Sequence, residues 1–308
     1  MRLVVALGGN ALLRRGETPD IETQRHHLRE AATSLAELAL AHDLVLTHGN
    51  GPQVGLFASQ AQSRGESASL AEMGALSEGL IGFLLERELR RALPGREVAT
   101  VLTLVTVDPA DPAFGLPSKP IGPIYPQEIG RRLSRRRGWA MAAERGGLRR
   151  VVASPAPLRI LALESIRRLL DSRRIVVCAG GGGVPVVEDA DGLRGVEAVI
   201  DKDRTAALLA EALHADGLVL LTDVRGVYED FGTPRERLVR EIAPARLADR
   251  SFEAGSMGPK VEAARRFVER TGGWAAIGAL EDASAVVAGT SGTRIALPRV
   301  AAPALAAR

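Results

Sequence analysis

Short apolar, β-branched runs recur along the chain, and longer stretches of helical period lie between many of them. The runs are Leu3–Leu7, Leu44–Thr47, Val98–Val105, Val151–Ala153, Ile175–Cys178, Ala198–Ile200, Leu218–Leu221 and Trp274–Ile277. They are nearly continuous in apolar residues, as strands buried on both faces must be. Helical patterns cover residues 21–42, 52–63, 70–92, 160–172, 203–214 and 257–270. This alternation predicts an α/β fold, a mainly parallel sheet with helices on both faces. Two helix starts carry favoured capping residues: Asp203 before Arg-Thr-Ala-Ala-Leu-Leu, and Ser256 before Met-Gly-Pro-Lys.

Two regions break the pattern. Residues 106–130 hold many of the prolines, and 131–150 is rich in arginine. Together they predict an excursion from the main sheet, a small subdomain near 119–150. The stretch Leu297–Arg308 is rich in Ala and Pro and reads as a loose tail.

A chain of 308 residues has room for one large domain or two lobes. Its apolar run at 3–7 breaks at Gly8-Gly9-Asn10, too early for a signal peptide, and no stretch approaches the ~20 residues of a membrane helix. The expectation is a cytoplasmic protein with no membrane partner. Aromatics at 3% argue against a stacking surface for single-stranded nucleic acid. The run Arg131-Arg132-Leu133-Ser134-Arg135-Arg136-Arg137 reads as a solvated helix face, so no nucleic-acid partner is expected. The lone Cys178 excludes an internal disulfide and reads as a buried small residue. The histidines lack metal-ligand spacing. His26 and His27 read as surface residues, and His48 either touches a ligand or braces its turn.

Lysine changes the picture. Lys119, Lys202 and Lys260 are the only three, against 37 arginines, and they sit in PSKPIGP, VIDKD and GSMGPK. Compositional bias accounts for the rarity of lysine. It does not account for three lysines that all avoid plain helix faces. A lysine ammonium is a compact charge on a flexible stem, able to follow a moving phosphoryl group where the planar arginine fork is rigid.

Three glycine-rich turns follow expected strands: Gly8-Gly9-Asn10, His48-Gly49-Asn50-Gly51-Pro52 and Gly180-Gly181-Gly182-Gly183. Glycine lets backbone N–H groups approach an anion closely. In an open parallel sheet such turns lie at the carboxyl ends of strands, where ligands bind. GxxxxGK[ST] and GxGxxG are both absent, which excludes a P-loop and a dinucleotide fingerprint.

The strings VVALGGNALL, THGNGPQVG, VLTLVTVDPADPAF, KPIGPIY, RRVVASP, GGGGVPVV, GVEAVIDKD, LTDVRGVYEDFGTP and GSMGPKVEAA closely resemble carbamate kinases of the amino acid kinase superfamily, in order from about residue 2 to 296. The resemblance implies a three-layer αβα fold around about eight strands, a homodimer, and MgATP with carbamate or carbamoyl phosphate as substrates. It implies an amino-terminal carbamate lobe over 1–210, including the 119–150 subdomain, and a carboxy-terminal nucleotide lobe over 211–308. Lys119, Lys202, Lys260 and Asp203 would be catalytic. Gly8, Gly9, Asn10, Gly49, Asn50 and Gly51 would bind carbamate and the moving phosphoryl group. Thr222, Asp223, Tyr228, Met257 and Gly258 would line the nucleotide pocket. Mg²⁺ would be held by ATP phosphates and water, with no metal site in the protein. The sister acetylglutamate, aspartate, glutamate and UMP kinases resemble one another in a first-strand Lys, where this chain has Ala6. The resemblance also implies ATP synthesis in arginine catabolism. Two departures stand out: Glu78 in ALSEGLIGF, where carbamate kinases commonly carry Gln, and the tail beyond Ile295. The alternatives are another acyl-phosphate-forming kinase or a catalytically silent nucleotide sensor on the same fold.

Overall fold

The first strand, Arg2–Leu7, sorts its side chains by parity. Val4 and Ala6 enter one apolar core, and Leu3, Val5 and Leu7 enter another. Successive residues of a strand point to opposite faces, so a strand without polar positions must lie between two covering layers. The computed structural model describes residues 1–9, 17, 20–51, 53–55, 57, 69–248 and 257–298, and both layers are present. Helices Lys202–Ala212 and Met257–Thr271 cover one face, burying Ala206, Leu209 and Phe267. Helices Ile21–Ala41 and Leu70–Ala92 cover the other with Leu28, Leu35, Leu84 and Leu85. Each large apolar side chain so buried contributes roughly 1.5–3 kcal/mol.

The central sheet has eight strands, in the order Glu241–Ile242, Thr293–Ile295, Trp274–Ala279, Gly217–Thr222, Arg2–Leu7, Asp43–His48, Ile175–Cys178 and Val98–Val101. Every neighbouring pair is parallel except Trp274–Ala279 with Thr293–Ile295. The carboxyl ends of Gly217–Thr222, Arg2–Leu7, Asp43–His48 and Ile175–Cys178 therefore emerge side by side. The chain's second strand lies on one side of the first, and Gly217–Thr222 on the other. Such a reversal of strand order opens a crevice for ligands.

Two expected strands come out differently. Val98–Val105 is split into Val98–Val101 and Leu104–Val107. The break is fixed by Thr103, whose hydroxyl donates to the Val101 carbonyl at 2.7 Å and accepts the Ala179 N–H at 2.9 Å. The second half joins a smaller sheet with Pro157–Ile160, Val184–Asp189 and Gly192–Gly195. Ala198–Ile200 forms no strand. It makes one isolated bridge, from Ala198 to Ala153, and its apolar side chains are satisfied by burial alone.

The excursion is a three-stranded antiparallel sheet of Lys119–Tyr125, Gly147–Val152 and Met141–Glu144, which takes in much of the expected Val151–Ala153 run. Helix Gln127–Arg137 packs on it, and Arg131, Arg132 and Arg135–Arg137 are exposed. The excursion meets the main body at two glycines. A Cβ on Gly55 would lie 2.2 Å from the Gly122 Cα, and Gly122 has φ +70°. Only glycine permits that approach, and it seats the Lys119 strand against the segment that follows Gly49–Gly51.

One helix start needs correction. Helix Lys202–Ala212 is capped by Asp201, not Asp203. Asp201 has extended φ/ψ and its Oδ1 accepts the N–H groups of Asp203 and Arg204, while Asp203 already lies in the first turn. The expected helix 160–172 spans Leu163–Asp171. Residues 53–55 are helical, as expected for 52–63. The remainder of that helix beyond 57, the Ser256 cap and tail residues 299–308 lie outside the described residues. His27 also departs from expectation. It is buried on Ile21–Ala41, with Nε2 2.7 Å from Glu17, because its helix face turns inward. Among the described residues no helix is long and apolar enough to cross a membrane.

Candidate active site

The glycine turns interlock at the carboxyl ends of the central strands. The Gly8 N–H donates to the Leu221 carbonyl at 2.8 Å, and the Gly49 N–H to the Leu7 carbonyl at 3.0 Å. A Cβ on Gly49 would lie 2.8 Å from the Gly9 nitrogen, and one on Gly181 would lie 1.9 Å from the Asn50 amide nitrogen. Side chains at these positions would force the three turns apart. Gly9 and Gly51, by contrast, have none of the described residues within 4 Å of where a Cβ would stand. Asn10 lies outside the described residues.

Helix Leu70–Ala92 braces two of the turns through adjacent residues. Ser77 Oγ accepts the Asn50 side-chain amide at 2.8 Å, and Glu78 Oε1 accepts the Gly180 N–H at 3.0 Å. Glu78 is only 1% exposed, and among the described residues its other oxygen has no hydrogen-bond partner. Burial pushes its carboxyl up to about 8, with the amides of Thr103 and Gly180 pulling partly back. A neutral Glu78 is therefore close in shape and charge to a Gln. The buried His48 bonds Gly49 O through Nδ1 at 3.0 Å. A carbonyl only accepts, so Nδ1 carries the proton. Burial brings His48 down to about 4, and the Lys202 charge adds to the effect. Between its two candidate roles, His48 braces its turn. Cys178 is buried as expected, and burial pushes its thiol up.

Two of the three lysines meet on one carboxylate. Asp203 Oδ1 accepts from Lys202 Nζ, and Asp203 Oδ2 lies 3.3 Å from Lys260 Nζ. The side chains of Asp203, Lys260 and Lys202 are 5%, 6% and 12% exposed. Burial lowers the pKa of Lys202 and the Lys260 charge adds to that, while Asp203 opposes both. The third lysine, Lys119, starts its strand in the excursion and reaches Asp201 Oδ2 at 2.5 Å. Asp201 and Asp203 flank Lys202 in sequence, so all three lysines converge on the start of one helix. The Gly180–Gly183 turn is tied to the same helix by Thr205, whose hydroxyl donates to the Gly182 carbonyl at 3.0 Å.

The nucleotide-pocket candidates are less tightly drawn together. Thr222 ends its strand beside Gly8, and its hydroxyl bonds the exposed Asp223 carboxylate at 3.0 Å. Met257 and Gly258 open the helix that carries Lys260. The Tyr228 ring packs against Phe231 at 5.8 Å.

Sequence reasoning missed Ser77, Thr103 and Asp201 as parts of this constellation, and noticed Glu78 only as a departure. Ser77 and Thr103 carry no local signal, because their partners lie in distant turns. Asp201 was legible: Asp-Lys-Asp before a helix offers two capping candidates, and the first was passed over.

The profile of the Amino acid kinase family matches residues 1–277. The carbamate kinase of Rhizobium meliloti is 49% identical over 301 residues, covering 96% of this chain and 93% of that protein. The Escherichia coli K12 carbamate kinase is 48% identical, covering 96% and 99%. The chain belongs to the carbamate kinases of the amino acid kinase family. The solved carbamate kinase from Giardia lamblia bound to AMP-PNP superposes with a TM-score of 0.88 at 36% identity, covering 96% of this chain and 98% of that one. Family membership agrees with the observed sheet of eight mainly parallel strands and with Ala6, which is fully buried in the core of the first strand.

Proposed function

We propose that this chain catalyses MgATP + carbamate ⇌ MgADP + carbamoyl phosphate, with Lys119, Lys202 and Lys260 neutralising the transferring phosphoryl group. The observation that carries the residue assignment is the convergence of all three lysines on Asp201-Lys202-Asp203 beside the glycine turns. Carbamate is already an anion, so its oxygen attacks the γ-phosphorus with no general base. Catalysis then rests on positioning and charge neutralisation. The backbones of Gly8, Gly9 and Asn10 and of Gly49, Asn50 and Gly51 are assigned to carbamate and the moving phosphoryl group, with the Gly8 and Gly49 N–H groups spent on holding the turns to Leu221 and Leu7. Asp203 orients Lys202 and Lys260. Thr222, Asp223, Tyr228, Met257 and Gly258 are assigned to the nucleotide, in a carboxy-terminal lobe over 211–308 that faces a carbamate lobe over 1–210. Asp201 and Asp203 are both engaged by lysines, so Mg²⁺ enters with the nucleotide phosphates.

Carbamoyl phosphate is a high-energy acyl phosphate, which favours ATP formation as the working direction and supports a place in arginine catabolism. The lone buried Cys178 fits a cytoplasmic enzyme. The exposed Leu76 and Phe83, on one face of a helix, and the nearby Leu102 supply apolar surface for the homodimer that the resemblance implies. A monomer mass in sedimentation at micromolar concentration would remove the dimer.

The deciding assay is ATP formation from ADP, Mg²⁺ and carbamoyl phosphate, with Lys119→Ala as control. Robust ATP formation that falls at least ~10²-fold in the control, to a residual rate that can still be measured, is the expected result. Bound nucleotide without turnover would point instead to a silent sensor or another acyl acceptor.

A further inference from the structure

Asp201 uses its two carboxylate oxygens for two different tasks. Oδ1 accepts the Asp203 N–H at 2.9 Å and the Arg204 N–H at 3.3 Å, which caps the helix. Oδ2 holds Lys119 Nζ at 2.5 Å, across 82 residues of sequence. The carboxylate is buried, at 9% side-chain exposure, while Lys119 is 33% exposed. A rigid anion is thus paired with a cation that keeps room to swing. We propose that Asp201 is a positioning residue for phosphoryl transfer: its ion pair with Lys119 seats the excursion's ammonium beside Lys202 and releases it to the incoming phosphate. This rests on reading Lys119 as a phosphate contact.

Three observations carry the inference. Lys119 is the first residue of its strand, paired with Val152, and its side chain is one-third exposed, so its ammonium has room to move. Among the described residues the excursion otherwise meets the main body through the Gly55–Gly122 backbone contact and through Ile121 and Val152, which pack with Val54, Leu70 and Met73, and these contacts orient no charge. And the oxygen that Lys119 grips belongs to the residue that fixes the first turn of the Lys202 helix, so seating Lys119 and aligning Lys202 are one event. Burial works against the Asp201 charge, yet Lys119, Lys202 and the Asp203 amide together hold its carboxyl well below the usual carboxylate range. The anion therefore persists throughout the neutral range. A phosphoryl group carries more charge than one carboxylate and offers several oxygens, so Lys119 has a stronger partner once substrate arrives.

The test separates the cap from the ion pair. Asn and Ser cap helices about as well as Asp, but neither pairs with an ammonium. In the carbamoyl-phosphate assay, Asp201→Asn is expected to lower kcat at least ~10-fold while the KM for ADP stays within about twofold, since misplacing one group costs rate more than binding. The melting temperature should fall less than in Asp201→Ala, because the cap survives while the ion pair is lost. In a Lys119→Ala background the same change should cost less than about twofold more, as contacting residues couple. Asp201→Ser gives the same readings should the Asn variant fail to fold. Wild-type kcat in Asp201→Asn, or losses that add in full to those of Lys119→Ala, would overturn the positioning role and leave the proposed reaction standing. A wild-type enzyme that makes no ATP from carbamoyl phosphate would remove both.

Discussion

Lys260 Nζ lies 3.3 Å from Asp203 Oδ2, joining two residues 57 positions apart in the interior of the protein. Asp203 also accepts from Lys202, so one carboxylate serves two buried ammonium groups. The Asp203 carboxylate offsets much of what it costs to hold two ammonium groups in so dry a place, because a buried charge is far costlier unpaired than paired.

Asp203→Ala should therefore damage both stability and rate. Removing the carboxylate from these two buried ion pairs is expected to lower unfolding free energy by about 3–5 kcal/mol, the usual consequence of deleting one partner of a buried pair. Turnover should fall at least ~10²-fold as both ammonium groups lose their aim. Urea melts and kcat measured on the same preparation check the two effects. A variant that melts normally and turns over within tenfold of wild type would show that the lysines are held by something else.

Lys119→Arg and Lys260→Arg keep the charge and change its shape. Each is expected to lower turnover at least ~10²-fold, the scale of losing one well-placed electrostatic donor. A planar fork cannot fill the space of an ammonium against Asp203, where Lys260 is 6% exposed, nor swing as Lys119 does. Steady-state kinetics of the two variants decides it, and near-normal rates in both would defeat the assignment of these lysines to the phosphate.

Glu78 and His48 set opposite limbs of the pH–stability curve. The carboxyl of Glu78 stands at about 8 in the folded protein against an ordinary 4.5, raised by burial. Its contribution is complete below about pH 4.5 and is lost as pH rises through 8, because the unfolded chain ionises first. His48 runs the other way on the acid side. Burial holds it at about 4 against 6.5, so stability is lost as pH falls from 6.5 toward 4. Glu78→Gln should accordingly flatten the decline between about pH 5 and pH 8.5, by at least ~1.4 kcal/mol, the equivalent of one pKa unit. Thermal melts of both proteins across that range would show it. Parallel curves for wild type and Glu78→Gln would mean that Glu78 is ionised in the fold.

How far the chain could be read in advance follows from where each signal resides. The central strands were visible because burial on both faces demands apolar residues along the runs Leu3–Leu7, Leu218–Leu221 and Ile175–Cys178 within them. The three lysines and the glycine turns were visible because lysine is rare in this chain and because clustered glycines mark turns. The identity of Asp203 as an organiser of Lys202 and Lys260 came from family resemblance, and the geometry agrees with it.

Other features depended on contacts between distant parts of the chain. The split of Val98–Val105 is imposed by a hydrogen bond from Ala179 to Thr103, which no local pattern encodes. His27 looked like a surface residue because its neighbours are polar, and only the packing of its helix turned it inward. Ser77 and Glu78 sit in an ordinary amphipathic helix and gain meaning from Asn50 and Gly180, which the fold brings to them. The sequence by itself determined the αβα layering, the glycine turns and the three cations, since these rest on residue type and period. The tertiary structure alone decided which carboxylate holds which lysine, because a short-range ion pair depends on where helices and strands finally stand.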